Sequence, residues 1–196
     1  FTGTPRYYSM KGILISNAND SKLSTIEFVP KGLTGSLVIP EGVQVISEGI
    51  FASSKITDVV IPYTVKTIGK DAFKWNSSLI NVVFEERPAN YLELKKAENK
   101  DYDPAQDLGL TIARDAFSNS NYIENVELPA HLYSMDITSI PSTKLVTIVL
   151  GGKDGTKSTG GYYTLNNSVC IDGEGTEKKL FYFAKGITGE YVNPEE

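Results

Sequence analysis

One cysteine, Cys170, and one histidine, His131, are the whole supply of these residues in a chain of 196. A single cysteine excludes an internal disulfide and a cysteine-built metal site. A single histidine excludes a His-rich zinc site and leaves little general acid–base capacity near neutral pH. Neither cofactor nor metal is therefore expected. Long apolar runs are missing too: none approaches the roughly 18 residues of a membrane-spanning helix. Positive charge is short, with 19 Lys and Arg against 24 Asp and Glu, a net charge of −5. That balance argues against nucleic acid or an anionic membrane as partner. The opening Phe1-Thr2-Gly3-Thr4-Pro5 is no signal peptide, so the chain reads as a mature form or an excised fragment.

What is present is globular in proportion, with 40% hydrophobic and 22% charged residues. Its length suits one ordinary domain or a short repeat array. Periodicity decides for the array. Lys31-Gly32-Leu33-Thr34-Gly35-Ser36-Leu37-Val38-Ile39-Pro40-Glu41 matches residues 185–195 at seven of eleven positions, 154 residues on. Ile39-Pro40 and Ile61-Pro62 lie 22 apart, as do Ile46 and Ile68, Phe51 and Phe73, Leu128 and Leu150. Phe73 and Phe117 are twice 22 apart, and 154 is seven times 22.

Two strings recur in each period. The first is Ile56-Thr57-Asp58-Val59-Val60-Ile61-Pro62, echoed from Leu79, Ile123 and Leu145. Its last four residues alternate as a short strand does, and proline suits a strand end. The second is Val43-x-x-Ile46-x-x-x-Ile50-Phe51, echoed at Val65–Phe73 and Ile112–Phe117. A 22-residue unit cannot bury its own apolar face. Stacking the units sets Ile61 beside Phe84 and Phe51 beside Phe73. The expected fold is a β-rich solenoid with a parallel sheet, an interior aromatic ladder and short irregular or helical returns. Asn76-Ser77-Ser78 and Ser118-Asn119-Ser120-Asn121 punctuate it as turns.

The composite string Ile-Pro-x-x-Val-x-x-Ile-x-x-x-Ala-Phe-x-x-(Ser/Asn)-x-x-Leu-x-x-Val resembles the BspA-type leucine-rich repeat of bacterial surface proteins. The resemblance covers residues 33–150. It implies a bacterial cell-surface or extracellular protein, with adhesion or binding as the usual role. It carries over no ligand residues, because the motif specifies packing.

Three segments follow: residues 1–35 as a hairpin cap, 36–150 as the repeat array, and 151–196 as a second hairpin with a partial repeat. Within the array, residues 85–109 break the pattern. They have helical propensity around Glu93 and Ala97, between prolines. This stretch either takes the place of about one repeat or is an excursion between two coils. At the ends, Gly12–Ile15 with Ile26–Val29, and Val169–Ile171 with Leu180–Phe183, read as β-hairpins.

Few side chains suggest chemistry. Cys170 reads as a buried small residue, and His131 as a solvated loop residue with no nucleophile marked for it. Asp101, Asp103 and Asp107 read as a solvated charge run on the excursion. Asp172-Gly173-Glu174-Gly175 lacks the spacing of a calcium loop and reads as a turn. Gly151 to Gly161 lacks the order of a phosphate loop and reads as a flexible turn. Tyr7, Tyr8, Tyr162, Tyr163, Tyr182 and Tyr191 either stack on a ligand or cap the solenoid ends. The informative surface is geometric: residues between the inward strand positions must face outward. That gives a row of Asp58, Asn81, Asn125 and Thr147 beside a row of Val60, Val83, Glu127 and Val149. The expected function is non-catalytic binding of an unidentified protein or glycan through this face or the 85–109 excursion. The other reading is a structural spacer.

Overall fold

The computed structural model describes residues 7–10, 12–16, 24–136, 138–141, 143–151, 157–165, 168–172 and 178–183. In chain order the first strands are β1 (Tyr7–Met10), β2 (Ile13–Ser16), β3 (Thr25–Phe28), β4 (Thr34–Val38) and β5 (Val45–Ile46). Next come β6 (Lys55–Ile61), β7 (Thr67–Ile68), β8 (Asn81–Phe84), α1 (Tyr91–Glu98), β9 (Leu110–Ile112) and β10 (Asn125–Leu128). The last are β11 (Leu132–Met135), β12 (Thr147–Leu150), β13 (Tyr162–Leu165), β14 (Ser168–Asp172) and β15 (Lys178–Phe183).

Each coil contributes one strand to each of two sheets. Strands β4, β6, β8, β10 and β12 form a parallel five-stranded sheet. The short strands β5, β7, β9 and β11 extend the antiparallel β1–β2–β3 into a seven-stranded sheet. A third sheet, β13–β14–β15, is antiparallel. The hairpins expected at both ends are present. Strands β1 and β13 join them; their Tyr, Ser and Thr residues lack the alternation that marks a strand.

The interior is built as the 22-residue period demands. Ile61 pairs with Phe84. Phe51 and Phe73 stack with ring centroids 4.9 Å apart at 7°, and Phe73 and Phe117 at 4.8 Å and 3°. All three rings are fully buried. β11 bulges at Tyr133, one extra residue that moves the next ladder position from Ser139 to Ile140, so the stack of rings ends on an aliphatic side chain. The Phe117 amide donates to Ser139, as Phe73 does to Ala116, and the following residue, Ile140, takes the ring's place. Asn76 and Ser120, expected within turns, sit at the ends of turns together with Ser54, and all three are buried. Asn76 Nδ2 donates to the carbonyls of Phe51 and Phe73, and Ser120 Oγ to that of Phe73, so polar groups of the turns satisfy the aromatic layers.

The corners place residues with left-handed backbone at the coil period. Gly49, Asp71 and Asp115 have φ of 62°, 55° and 58°; Ser53, Trp75 and Asn119 have 60°, 57° and 59°. A bulky side chain is strained there. Trp75→Asn, the residue of the following coil, is expected to stabilise the chain by about 1 kcal/mol in urea unfolding. The exposed contact between Lys74 and the Trp75 ring offsets only part of that gain.

The 85–109 segment is an excursion. Thr67 and Ile68 pair directly with Thr111 and Ile112, and Asn81 with Asn125. The coils close across it without a gap, while α1 and a 3-10 turn (Pro104–Gln106) lie outside the stack. Gly109, at φ 103°, brings the chain back; a Cβ there would stand 2.1 Å from the His131 carbonyl oxygen. The second Lys-Gly-x-Thr-Gly segment, Tyr191 and most of the glycine loops after Gly151 and Asp172 lie outside the described residues, as do the side chains of Cys170, Tyr163 and Tyr182.

Candidate functional site

The outward rows expected from alternation are in register. Asp58 pairs with Asn81, Asn81 with Asn125, and Asn125 with Thr147. Strand spacing of about 4.8 Å sets neighbours within hydrogen-bonding reach. Thr147 Oγ1 donates to Asn125 Oδ1 at 2.6 Å, Asn125 Nδ2 to Asn81 Oδ1 at 2.8 Å, and Asn81 Nδ2 to Asp58 Oδ1 at 2.5 Å. Ser36 and Thr57 hydroxyls donate to the other Asp58 oxygen at 3.1 and 2.7 Å. Every bond points towards the carboxylate. Led by the Asn81 amide, they hold the Asp58 pKa below its usual range, against a smaller upward push from burial. Each Asn keeps one amide hydrogen and a carbonyl lone pair for another partner.

The neighbouring row runs Val38, Val60, Val83, Glu127, Val149. Val60, Val83 and Val149 were expected to be exposed and are half-buried, whereas Val38, which extends the row, is exposed. Parallel neighbours 4.8 Å away cover their flanks. The two rows line a shallow depression of about 440 Å³. On its other side lies a row that alternation alone did not reveal. The coil kinks after each buried Ile or Leu, so Thr57, Ile80, Glu124 and Val146 also turn outward, with Ile80 and Val146 exposed. The signal was the two-residue gap in apolar-x-x-apolar.

The excursion is anchored by a buried carboxylate, and this overturns its reading as a solvated charge run. The Asp107 side chain is 3% exposed. It accepts from Tyr91 and Tyr102 hydroxyls and pairs with Arg87 at 2.8 Å and Lys66 at 3.7 Å. Burial pushes its pKa up, but the two phenols and two cations outweigh it and hold the carboxyl at about 2. Arg87 also lies over the Tyr91 ring at 4.3 Å, and Tyr63 meets that ring edge-on. Asp101 and Asp103 are exposed, as expected. Asp107→Asn is expected to cost roughly 2 kcal/mol, the worth of the ionised form. Limited proteolysis should then cut first within 85–109.

His131 is likewise corrected. It is buried, not solvated, in the corner that receives the excursion. Burial, then the Arg87 charge, lowers its pKa to about 4, with Asp107 opposing. Among the described residues its Nδ1 meets no hydrogen-bond partner. Proximity of Arg87 and Asp107, distant in sequence, is what the sequence alone did not reveal.

Between α1 and the coil corners runs a cleft of about 320 Å³, lined by Glu41, Gln44, Tyr63, Lys66, Tyr91 and Lys95 among others. Tyr63 donates to Glu41 at 2.6 Å, and that bond, followed by burial and the nearby carboxylates, raises its pKa to about 12. Among the described residues no group of three or more His, Cys, Asp or Glu could hold a metal ion. No described helix is long and apolar enough to cross a membrane.

A parallel coil stack with an interior Phe ladder and an open strand face defines a leucine-rich-repeat solenoid. The profile of the BspA type Leucine rich repeat region matches six copies over residues 19–95 and 107–169. The chain belongs to this family of bacterial surface proteins, which serve as binding or scaffold modules and are typically non-catalytic. A leucine-rich repeat protein from Bacteroides capillosus ATCC 29799 is similar in structure, with TM-score 0.56 and 21% identity over 76% of this chain and 100% of that one. A leucine rich cell surface protein from Faecalibacterium prausnitzii A2-165 gives TM-score 0.46 and 20% identity, covering 79% of this chain and 42% of that one. The pneumococcal vaccine antigen PcpA gives 0.49 and 16%, covering 74% and 38%. At such identities the likeness concerns the fold. No curated protein matches the chain.

Proposed function

We propose that the chain is a non-catalytic module of a bacterial cell surface or extracellular protein, and that its strand face engages an extended protein or glycan ligand. The one-way ladder from Thr147 to Asp58 supports this reading most. It offers unspent amide hydrogens and lone pairs at a step of about 4.8 Å, the pattern a linear polar ligand needs. Val60, Val83 and Val149 add an apolar margin. The cleft beside α1 is the second contact surface.

The test titrates immobilised matrix proteins and mucin-type glycans with the parent and with Asn81→Ala/Asn125→Ala. A bound member of the panel should lose at least ten-fold in affinity, while the melting midpoint stays within about 4 °C. Equal binding by both forms would remove the strand face from the account. The spacer reading draws on the ladder's internal satisfaction. It requires that no panel member binds and that the double variant loses stability instead.

A further inference from the structure

The antiparallel sheets at the two ends are copies in register as well as in sequence. In the first, a two-residue link joins β1 to β2, and Tyr7, Tyr8, Ser9 and Met10 pair with Ser16, Ile15, Leu14 and Ile13. In the last, Tyr162, Tyr163, Thr164 and Leu165 pair with Ile171, Cys170, Val169 and Ser168 across a link of the same length. Each pair is shifted by 155 residues. The third strands repeat the match. Leu14 pairs with Phe28 and Ile15 with Ile26, with a register shift between them. Val169 pairs with Tyr182 and Cys170 with Leu180, with the shift at the same step. A bulge is a defined insertion, so its recurrence marks one unit used twice.

The copies differ in what covers one face. Pairing and alternation put Tyr7, Leu14 and Phe28 on one face of the first sheet and Ile15 and Ile26 on the other. The Ile face is fully buried against the chain's own coils. On the opposite face Tyr7 is 48% and Phe28 57% exposed. The counterparts of Tyr7 and Leu14 are Tyr162 and Val169, exposed by 6% and 0%. Both belong to the core that runs through the coils, and β12 packs against β13 and β14. The face left open in the first copy is thus the face that closes the coil stack in the second.

We propose that the outer face of β1–β2–β3 is a docking wall for the terminal coil of a second stack, a copy of the coil end that residues 110–151 form here, supplied in tandem. Each antiparallel sheet is then shared by two stacks: one face ends a stack, and the other starts the next. The 154–155-residue spacing is the period of that tandem. The match of 31–41 with 185–195 carries the copy on into the counterpart of β4.

The experiment replaces residues 162–196 with a second copy of residues 7–41, so that the transplanted Tyr7 follows Gly161. A strand-only version exchanges β13, β14 and β15 for β1, β2 and β3 and keeps the parent's turns, which separates a junction fault from a misfit of the face. At least one form should unfold cooperatively within about 5 °C of the parent. Phe28→Ser in the transplanted copy should then lower its midpoint, and Phe28→Ser in the original first sheet should not. Loss of cooperative unfolding in both forms overturns the proposal. So does a folded form indifferent to the transplanted Phe28→Ser, which would leave the face to an unrelated partner or to solvent.

Discussion

Phe73→Ala should destabilise the chain by about 3–5 kcal/mol, more than any other single truncation of an interior side chain. Phe73 is the middle ring of three, stacked at 4.9 Å on one side and 4.8 Å on the other. Its removal deletes the burial of a whole side chain and two ring contacts, each worth about 0.5–1.5 kcal/mol beyond area. The cavity cannot collapse easily. Asn76 and Ser120 bond the Phe73 backbone and fix the corner in place. In a solenoid each coil is held by its neighbours, so the loss divides the stack. Urea unfolding followed by far-UV dichroism should change from one transition to two. Phe117→Ala, with a ring on one side only, should cost less. Equal costs at the two positions would contradict the stacked arrangement.

Acid should weaken the protein in two separate steps. His131 has its pKa lowered to about 4 in the fold, against about 6.5 in an unfolded chain. The unfolded state therefore binds the proton first. Stability from a neutral His131 is complete above pH 6.5 and is lost as pH falls towards 4, by roughly 3 kcal/mol in all. Asp107 acts lower. Its carboxyl is held at about 2, so its contribution is complete above about pH 4 and is lost as pH falls through 2. Melting midpoints between pH 7 and pH 2.5 should show both slopes. His131→Leu should flatten the upper slope and leave the lower one. An upper slope that survives His131→Leu would show that the histidine is not the group being titrated.

The two surprises, His131 and Asp107, show where sequence reading runs out. The coils were legible because one period of 22 repeats in both strings, and because alternation states which residues face out. That was enough to place Asp58, Asn81, Asn125 and Thr147 in one row. The excursion was not decidable, since 22 inserted residues preserve the period whether they form a coil or loop out. Its anchor was hidden for a related reason. Asp107 meets Arg87 and Lys66, 20 and 41 positions earlier, through contacts that follow no period. Tyr133 shows the same limit: one extra residue in β11 moves the ladder position from Ser139 to Ile140, although the 22-residue spacing holds again where Asn125 pairs with Thr147.

Ring contacts across the excursion test the central claim most directly. With phenylalanine labelled in the ring, nuclear Overhauser spectra should link Phe51 to Phe73 and Phe73 to Phe117, and should lack a link from Phe51 to Phe117. A missing link between Phe73 and Phe117 would place a coil of residues 85–109 between them, and would break the row that aligns Asn81 with Asn125.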